Sequence, residues 1–326
     1  MDRSTFSNYG WLIIAVVVVS IMIVLATPLG DGIKEGLYTA TDSMNDRMSI
    51  VQDGQVSLED HSGAVKSWNI GATSANINYN GSNGADSVTA TLYKDGKLVV
   101  TGSGNVTVFS NTADAVAPWC SSTYKNQVKS SVIASTVKPT SMKYWYQYCS
   151  NLTAAPTIPS SVTDMSRTFL SCTALTQAPD IPSGVTAMGY TFDGCTALTQ
   201  APDIPSSVTD MRYTFNGCTA LTQAPAIPSS VTNMYATFFG CTSLTQAPKI
   251  PASVTNMYST FLNCGKLTGT MTIMAVPGQY GNCFINASTD ASASLTVNYT
   301  SNCTNIDNII ATKSAGSHIT KGVQID

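Results

Sequence analysis

Charge is scarce in this chain: of 326 residues only 11% are Asp, Glu, Lys or Arg, and the net charge is −3. So sparse a surface offers no basic patch for nucleic acid and no charge block to steer a partner. Histidine is scarcer still, with His61 and His318 alone and far apart, both expected as solvated surface residues. There is no H-E-x-x-H, no G-x-S-x-G and no phosphate-cradling glycine loop, so hydrolase and nucleotide chemistry lack their residues. Neither a histidine nor an acid stands near the cysteines at ligand spacing. The expectation is a non-enzyme with no catalytic, cofactor-binding or metal residues. Toward the C-terminus there is no L-P-x-T-G motif and no apolar tail, so any attachment to a cell is expected through the N-terminus.

What the chain does have is repetition. Between Cys149 and Cys264 a phrase close to C-T-x-L-T-Q-A-P-x-I-P-x-S-V-T-x-M-x-x-T-F-x-G recurs with a fixed period of 23 residues, the cysteines falling at 149, 172, 195, 218, 241 and 264. A fixed period of this length marks a solenoid. Leu, Ile, Val, Met and Phe recur in register and are the expected core. Burying five such side chains contributes on the order of 10 kcal/mol per repeat, while ordering each residue costs roughly 1.5 kcal/mol. A single repeat therefore cannot fold alone, and stacked rungs about 4.8 Å apart must bury one another.

Prolines forbid helix across the first half of each copy, as at Pro179 and Pro182, so that half is expected to be an extended strand with a corner. The second half spaces Met and Phe four apart and mostly ends in Gly, which predicts one helical turn with a left-handed exit. The expected fold class is an α/β repeat solenoid of short strands and helical turns, with a long N-terminal helix and a small β-rich N-terminal cap. These copies resemble the BspA-like leucine-rich repeats of bacterial surface proteins, which run L-x-x-I-x-I-P-x-S-V-T-x-I-x-x-x-A-F-x-G-C. The chain departs by one extra residue before the second proline and by Thr-Phe in place of Ala-Phe. The resemblance extends over roughly residues 88 to 264 and implies a non-catalytic binding or adhesive domain at a bacterial cell surface.

Upstream, no charge interrupts the stretch between Arg3 and Asp31, and Trp11 to Ala26 is almost wholly apolar. That run predicts a membrane anchor, with a cleaved secretory signal as the competing reading. Ile33, Leu37, Ala40, Met44, Met48 and Val51 then follow at helical intervals. The simplest reading is one helix over 11–52, kinked near Pro28, Gly30 and Gly32. A membrane half continuing into an amphipathic half resembles, in plan, the first helix of type IV pilins. That resemblance implies cleavage after a glycine, here Gly10, and self-assembly through 11–52, although the glutamate usual five residues past the cut is Ala15. An ordinary signal anchor with a stalk or coiled-coil helix is the alternative.

The expected layout is a leader or cytoplasmic tail over 1–10, the transmembrane and amphipathic helix over 11–52, and a Gly/Ser/Asn-rich connector over 53–86. An N-terminal cap over 87–148, the repeats over 149–264 and a C-terminal cap over 265–326 complete it. Within the caps, Asp95-Gly96 between alternating runs predicts a hairpin of Ser87–Tyr93 with Lys97–Thr101. Ser294–Tyr299 reads as a strand and Thr304–Lys313 as a short helix with Ile306, Ile309 and Ile310 on one side. Nine cysteines in an exported chain suggest disulfides. Six of them form an inward column, where Cys acts as a small hydrophobe, and are expected as buried free thiols. Cys283 with Cys303, and Cys120 with Cys149, are the disulfide candidates.

Binding residues are sought where the columns vary. One reads Thr157, Asp180, Asp203, Ala226, Lys249; a pair reads Ser166-Arg167, Gly189-Tyr190, Arg212-Tyr213, Tyr235-Ala236, Tyr258-Ser259; a third reads Leu170, Asp193, Asn216, Phe239, Leu262. Tyrosines flanked by Arg and Asp have the composition of a recognition strip. Tyr190, Arg212, Tyr213, Tyr235, Tyr258, Asp180, Asp203 and Lys249 are the candidate ligand contacts. Drifted surface positions with the rings packed along neighbouring rungs are the plainer alternative. The expected function is a surface pilin-like subunit displaying an adhesive repeat domain, or else a non-polymerising anchored adhesin. Expected partners are an extracellular protein or glycan and the membrane.

Overall fold

The computed structural model describes residues 49–50, 56–57, 63–71, 88–110 and 116–325. The chain divides into two compact units, Met1–Ser62 and Gly63–Asp326. In the first, β1 (Ser49–Ile50) pairs antiparallel with β2 (Val56–Ser57). The anticipated helix over 11–52, and Gly10, otherwise lie outside the described residues. Its C-terminal end is corrected: Ser49 and Ile50, expected in that helix, are strand. Among the described residues no helix is long and apolar enough to cross a membrane.

The second unit opens with a four-stranded sheet, β3 (Ala64–Asn69), β4 (Val88–Tyr93), β5 (Lys97–Gly102) and β6 (Ser130–Ile133), in that spatial order. β4 and β5 are the hairpin expected around Asp95-Gly96: Leu92 faces Leu98, and Gly96 takes φ +92° while its N–H donates to the Tyr93 carbonyl at 3.0 Å. Val88, Ala90, Leu92, Leu98 and Val100 alternate inward and are fully buried. They lie in one core with Phe109, Trp119 and Trp145, whose rings sit edge-on at 5.6–6.1 Å. β6 runs parallel to β5, and its Ser130 bridges Ala154 of the first repeat, so the cap sheet leads directly into the solenoid.

Each repeat is a chain of turns. In one copy, N–H groups of Val162, Thr168, Cys172 and Leu175 donate to carbonyls of Pro159, Met165, Phe169 and Cys172, each three residues back, at 3.0–3.1 Å. The corners they close turn Val162, Met165, Phe169, Cys172 and Leu175 inward, all fully buried. The expected helical turn is absent, and the reason lies in the backbone. Arg167 and Ser171 both hold φ +58°, and this alternation of hand aims the N–H groups of Met165, Arg167, Phe169 and Ser171 at carbonyls of Ala187, Gly189, Thr191 and Asp193 on the next rung, at 2.6–3.0 Å. In a helix the Phe169 N–H would return to Met165. Here it serves the stack.

The extended half meets its neighbours through few bridges, among them Gln177↔Gln200 and Gln223↔Gln246. The prolines two and five residues after each such Gln have no N–H to give, which limits a full strand. Threonine hydroxyls help hold the rungs. Thr191 Oγ1 lies 2.8 Å from the Met188 carbonyl and 3.0 Å from Met165, and Thr168, Thr214, Thr237 and Thr260 likewise reach a Met carbonyl 26 residues back. Within the core, Tyr146, Phe169, Phe192, Phe215, Phe238, Phe261 and Phe284 stack in one line, centroids 5.4–5.8 Å apart and planes within 9°.

The C-terminal cap is a parallel sheet of β7 (Gly269–Ile273), β8 (Leu295–Tyr299) and β9 (Ile319–Gln324). The expected strand is β8. The expected helix shortens to α1 (Ile306–Ile310), burying Ile306, Ile309 and Ile310, because Thr312 and Lys313 donate three residues back, to Ile309 and Ile310, and tighten the exit into turns. All nine cysteines are buried free thiols. Neither expected pair is bonded in this structure: Cys283 occupies the rung position that holds threonine in the repeats, 23 residues after Thr260, while Cys303 faces Asn305, and the Cys120 and Cys149 sulfurs lie 3.9 Å apart.

Candidate functional site

Two columns of each rung have a left-handed backbone, four residues apart. The second, Tyr148, Ser171, Gly194, Gly217, Gly240, Asn263 and Asn286, has φ of +51° to +73° and from Gly194 onward uses Gly and Asn, which tolerate it. The first has φ of +51° to +63° and holds Tyr144, Arg167, Tyr190, Tyr213, Ala236, Ser259 and Asn282. Keeping a large side chain in this conformation costs roughly 1–2 kcal/mol per residue, so the bulk must be retained for something it does at the surface.

What it does is build a second aromatic line. Arg167 lies over the rings of both Tyr144 and Tyr190, at 5.7 and 4.3 Å. Tyr190 stacks on Tyr213 at 4.5 Å and 13°. At Ala236 and Ser259 the left-handed column runs out of rings, and the preceding column takes over: Tyr213 meets Tyr235 at 5.1 Å, and Tyr235 stacks on Tyr258 at 5.3 Å and 6°. Tyr258 ends the line against Gly281, where a Cβ would come within 2.8 Å of the ring, and its hydroxyl accepts from Asn282 at 3.0 Å. All four tyrosines are half-buried.

Short polar residues feed this column. Side-chain oxygens of Asp164, Asp210, Asn233 and Asn256 accept the backbone N–H two residues on, from Ser166, Arg212, Tyr235 and Tyr258, at 2.8–3.0 Å. Asp210 also pairs with Arg212 at 3.2 Å, and Arg212 lies along Gly189, which leaves it room. Desolvation, then the neighbouring Tyr235 hydroxyl, push the Tyr213 phenol up to about 12. Burial likewise raises the Asp193 carboxyl, against the Asn216 amide that donates to it at 2.7 Å.

The structure thus brings Tyr190, Arg212, Tyr213, Tyr235 and Tyr258 onto one strip. Asp180, Asp203 and Lys249 are exposed in a different column, ten residues before the tyrosine column of the same repeat. Tyr144 and Arg167 belong to the strip and were not among the chosen contacts. Their signal was arithmetic, since Arg167 stands one period before Tyr190 and Tyr144 two, the latter in the cap, where the repeat phrase is hard to see. His318 is exposed, its Nδ1 lying 3.0 Å from the Ala293 carbonyl; His61 lies outside the described residues.

A family model described as the BspA type leucine-rich repeat region matches in six copies, over residues 139–268 and 190–314, together just over half of the chain. No curated protein matches at a significant level. Among solved structures, a leucine-rich repeat protein of T. pallidum is similar at 17% identity and a TM-score of 0.38, covering 55% of this chain and 86% of that one. Leucine-rich repeat proteins from Eubacterium ventriosum and Bacteroides ovatus are similar at 14% and 15% identity, with TM-scores of 0.29 and 0.23. They cover 80% and 72% of this chain, and 84% and 98% of their own.

Proposed function

Because the chain belongs to the BspA type leucine-rich repeat family, we propose that it is a bacterial surface protein that binds a protein partner, without catalysis, along the tyrosine strip. The observation that supports this most is the unbroken line from Arg167 to Tyr258, kept partly at left-handed positions. Rings whose faces are covered by their neighbours have edges and hydroxyls left to offer. A sugar ring needs an open aromatic face to stack upon, whereas a protein surface is well matched by a rigid row of tyrosine edges. The strip therefore favours a protein partner over a glycan.

Probing arrays of extracellular proteins and of glycans with the full chain and with Tyr213→Ala/Tyr235→Ala tests this. Signal on the protein array that falls at least tenfold in the variant supports the strip. Signal confined to glycans, or unchanged in the variant, overturns it. In the same reading the run from Trp11 to Ala26 holds the chain at the membrane, and cleavage after Gly10 routes it into a filament. The N-terminal mass of the exported protein tests that route: a chain beginning at Trp11 supports a filament subunit, and an intact Met1 supports a solitary anchored adhesin.

A further inference from the structure

Five cysteines of the repeat column share one geometry. The thiols of Cys172, Cys195, Cys218, Cys241 and Cys264 donate to the carbonyls of Tyr146, Phe169, Phe192, Phe215 and Phe238, each 26 residues back, at 2.9–3.1 Å. Cys149 heads the column, but no ring rung precedes it. Its sulfur lies instead 3.9 Å from that of Cys120, at the end of the 3₁₀ turn Pro118–Cys120 in the N-terminal cap.

We propose that Cys120 and Cys149 form a disulfide in an oxidising environment, a covalent staple between the cap and the first repeat. A sulfur–sulfur bond of about 2.05 Å requires the two atoms to close by roughly 2 Å, and the Cys120 thiol must leave the Trp145 carbonyl it donates to at 3.0 Å. That carbonyl is not orphaned, since the Trp119 indole N–H also donates to it. The other ladder thiols are each aimed at a ring-column carbonyl, whereas the Cys120 and Cys149 sulfurs face each other.

The oxidant is a small disulfide such as oxidised glutathione, or the disulfide of a thiol oxidase. One cysteine thiolate displaces a glutathione thiolate to give a mixed disulfide. The other then attacks the protein sulfur of that mixed disulfide, the bond to the second glutathione breaks, and two thiols are oxidised as one disulfide is reduced. Burial first, and the neighbouring Cys149 thiol next, raise the Cys120 thiol well above its ordinary range, so exchange is slow in the closed cap and is expected during folding. The crosslink spans 29 residues of sequence, which restricts the unfolded chain.

The test is to refold the reduced full chain in a glutathione redox buffer and alkylate it in denaturant before peptide mapping. Seven of the nine cysteines should alkylate, one linked peptide should join Cys120 to Cys149, and reductant should restore all nine. The oxidised form should also melt roughly 5 °C higher than the reduced form, a rise absent in Cys120→Ala. Alkylation of all nine, or a link between any other pair, would overturn the proposal. Should Cys120→Ala not fold, the peptide map of the parent protein decides alone.

Discussion

Two aromatic ladders run through the same rungs at the same period, one inside and one outside, and they are built by different rules. The inner one keeps phenylalanine at a single position from Phe169 to Phe284. The outer one changes column between Tyr213 and Tyr235 without losing ring contact. Inside, neighbours on every side fix where a ring can stand, and close packing admits one volume at one place. Outside, a ring reaches the line from either of two adjacent positions. What persists there from rung to rung is the strip and not the column, as expected if the strip meets the partner proposed for it.

The largest effect that tests this contrast is deletion of one ring from each ladder. Phe215→Ala leaves a cavity between two stacked rings and should cost about 3–5 kcal/mol. Tyr213→Ala removes a half-buried ring and its stacking while relieving little else, and should cost about 1 kcal/mol. Urea unfolding of both variants measures the difference. Equal losses would mean that the outer ladder is as structural as the inner one, and would remove the argument that its rings are kept for a partner.

The inner ladder was legible because burial leaves a periodic mark: Leu, Val, Met, Phe and Cys each return after 23 residues and each is fully buried in the repeats. The hairpin was legible because Asp95-Gly96 suits only a tight reversal. The backbone of the turn half was not. Met165 and Phe169 stand four apart, as on a helix, yet successive turns of three residues place inward corners at nearly the same intervals. The residue that breaks the helix is Arg167, or Tyr190, or Tyr213, none of which announces a left-handed conformation. β7 and β9 were missed because Thr270, Thr272 and Lys321-Gly322 show little of the apolar alternation of a strand, and they are ordered by parallel pairing with β8. On the strip, the tyrosines could be chosen by column. Their contact across the column change could not, because it depends on ring reach between rungs and not on register.

A finer version of the same comparison sets the two left-handed columns against each other. Gly217 has φ +67° with its nearest non-neighbouring atom 3.7 Å from a built Cβ, so Gly217→Ala introduces backbone strain and no clash, and should destabilise by about 1–2 kcal/mol. Ala236 has φ +51° and is 2% exposed, so Ala236→Gly relieves the same strain, offset by the greater freedom that glycine loses on folding, for a net gain of roughly 0.5–1 kcal/mol. Opposite shifts in the urea midpoint are the expected result. They would show that glycine is the better residue for the backbone at both columns, so that wherever the first column holds Tyr or Arg the side chain is kept against backbone preference. Should Ala236→Gly instead destabilise, the first column would be strain-free for ordinary residues, and the conformational argument for retaining Tyr190 and Tyr213 would fall while their ring contacts remained.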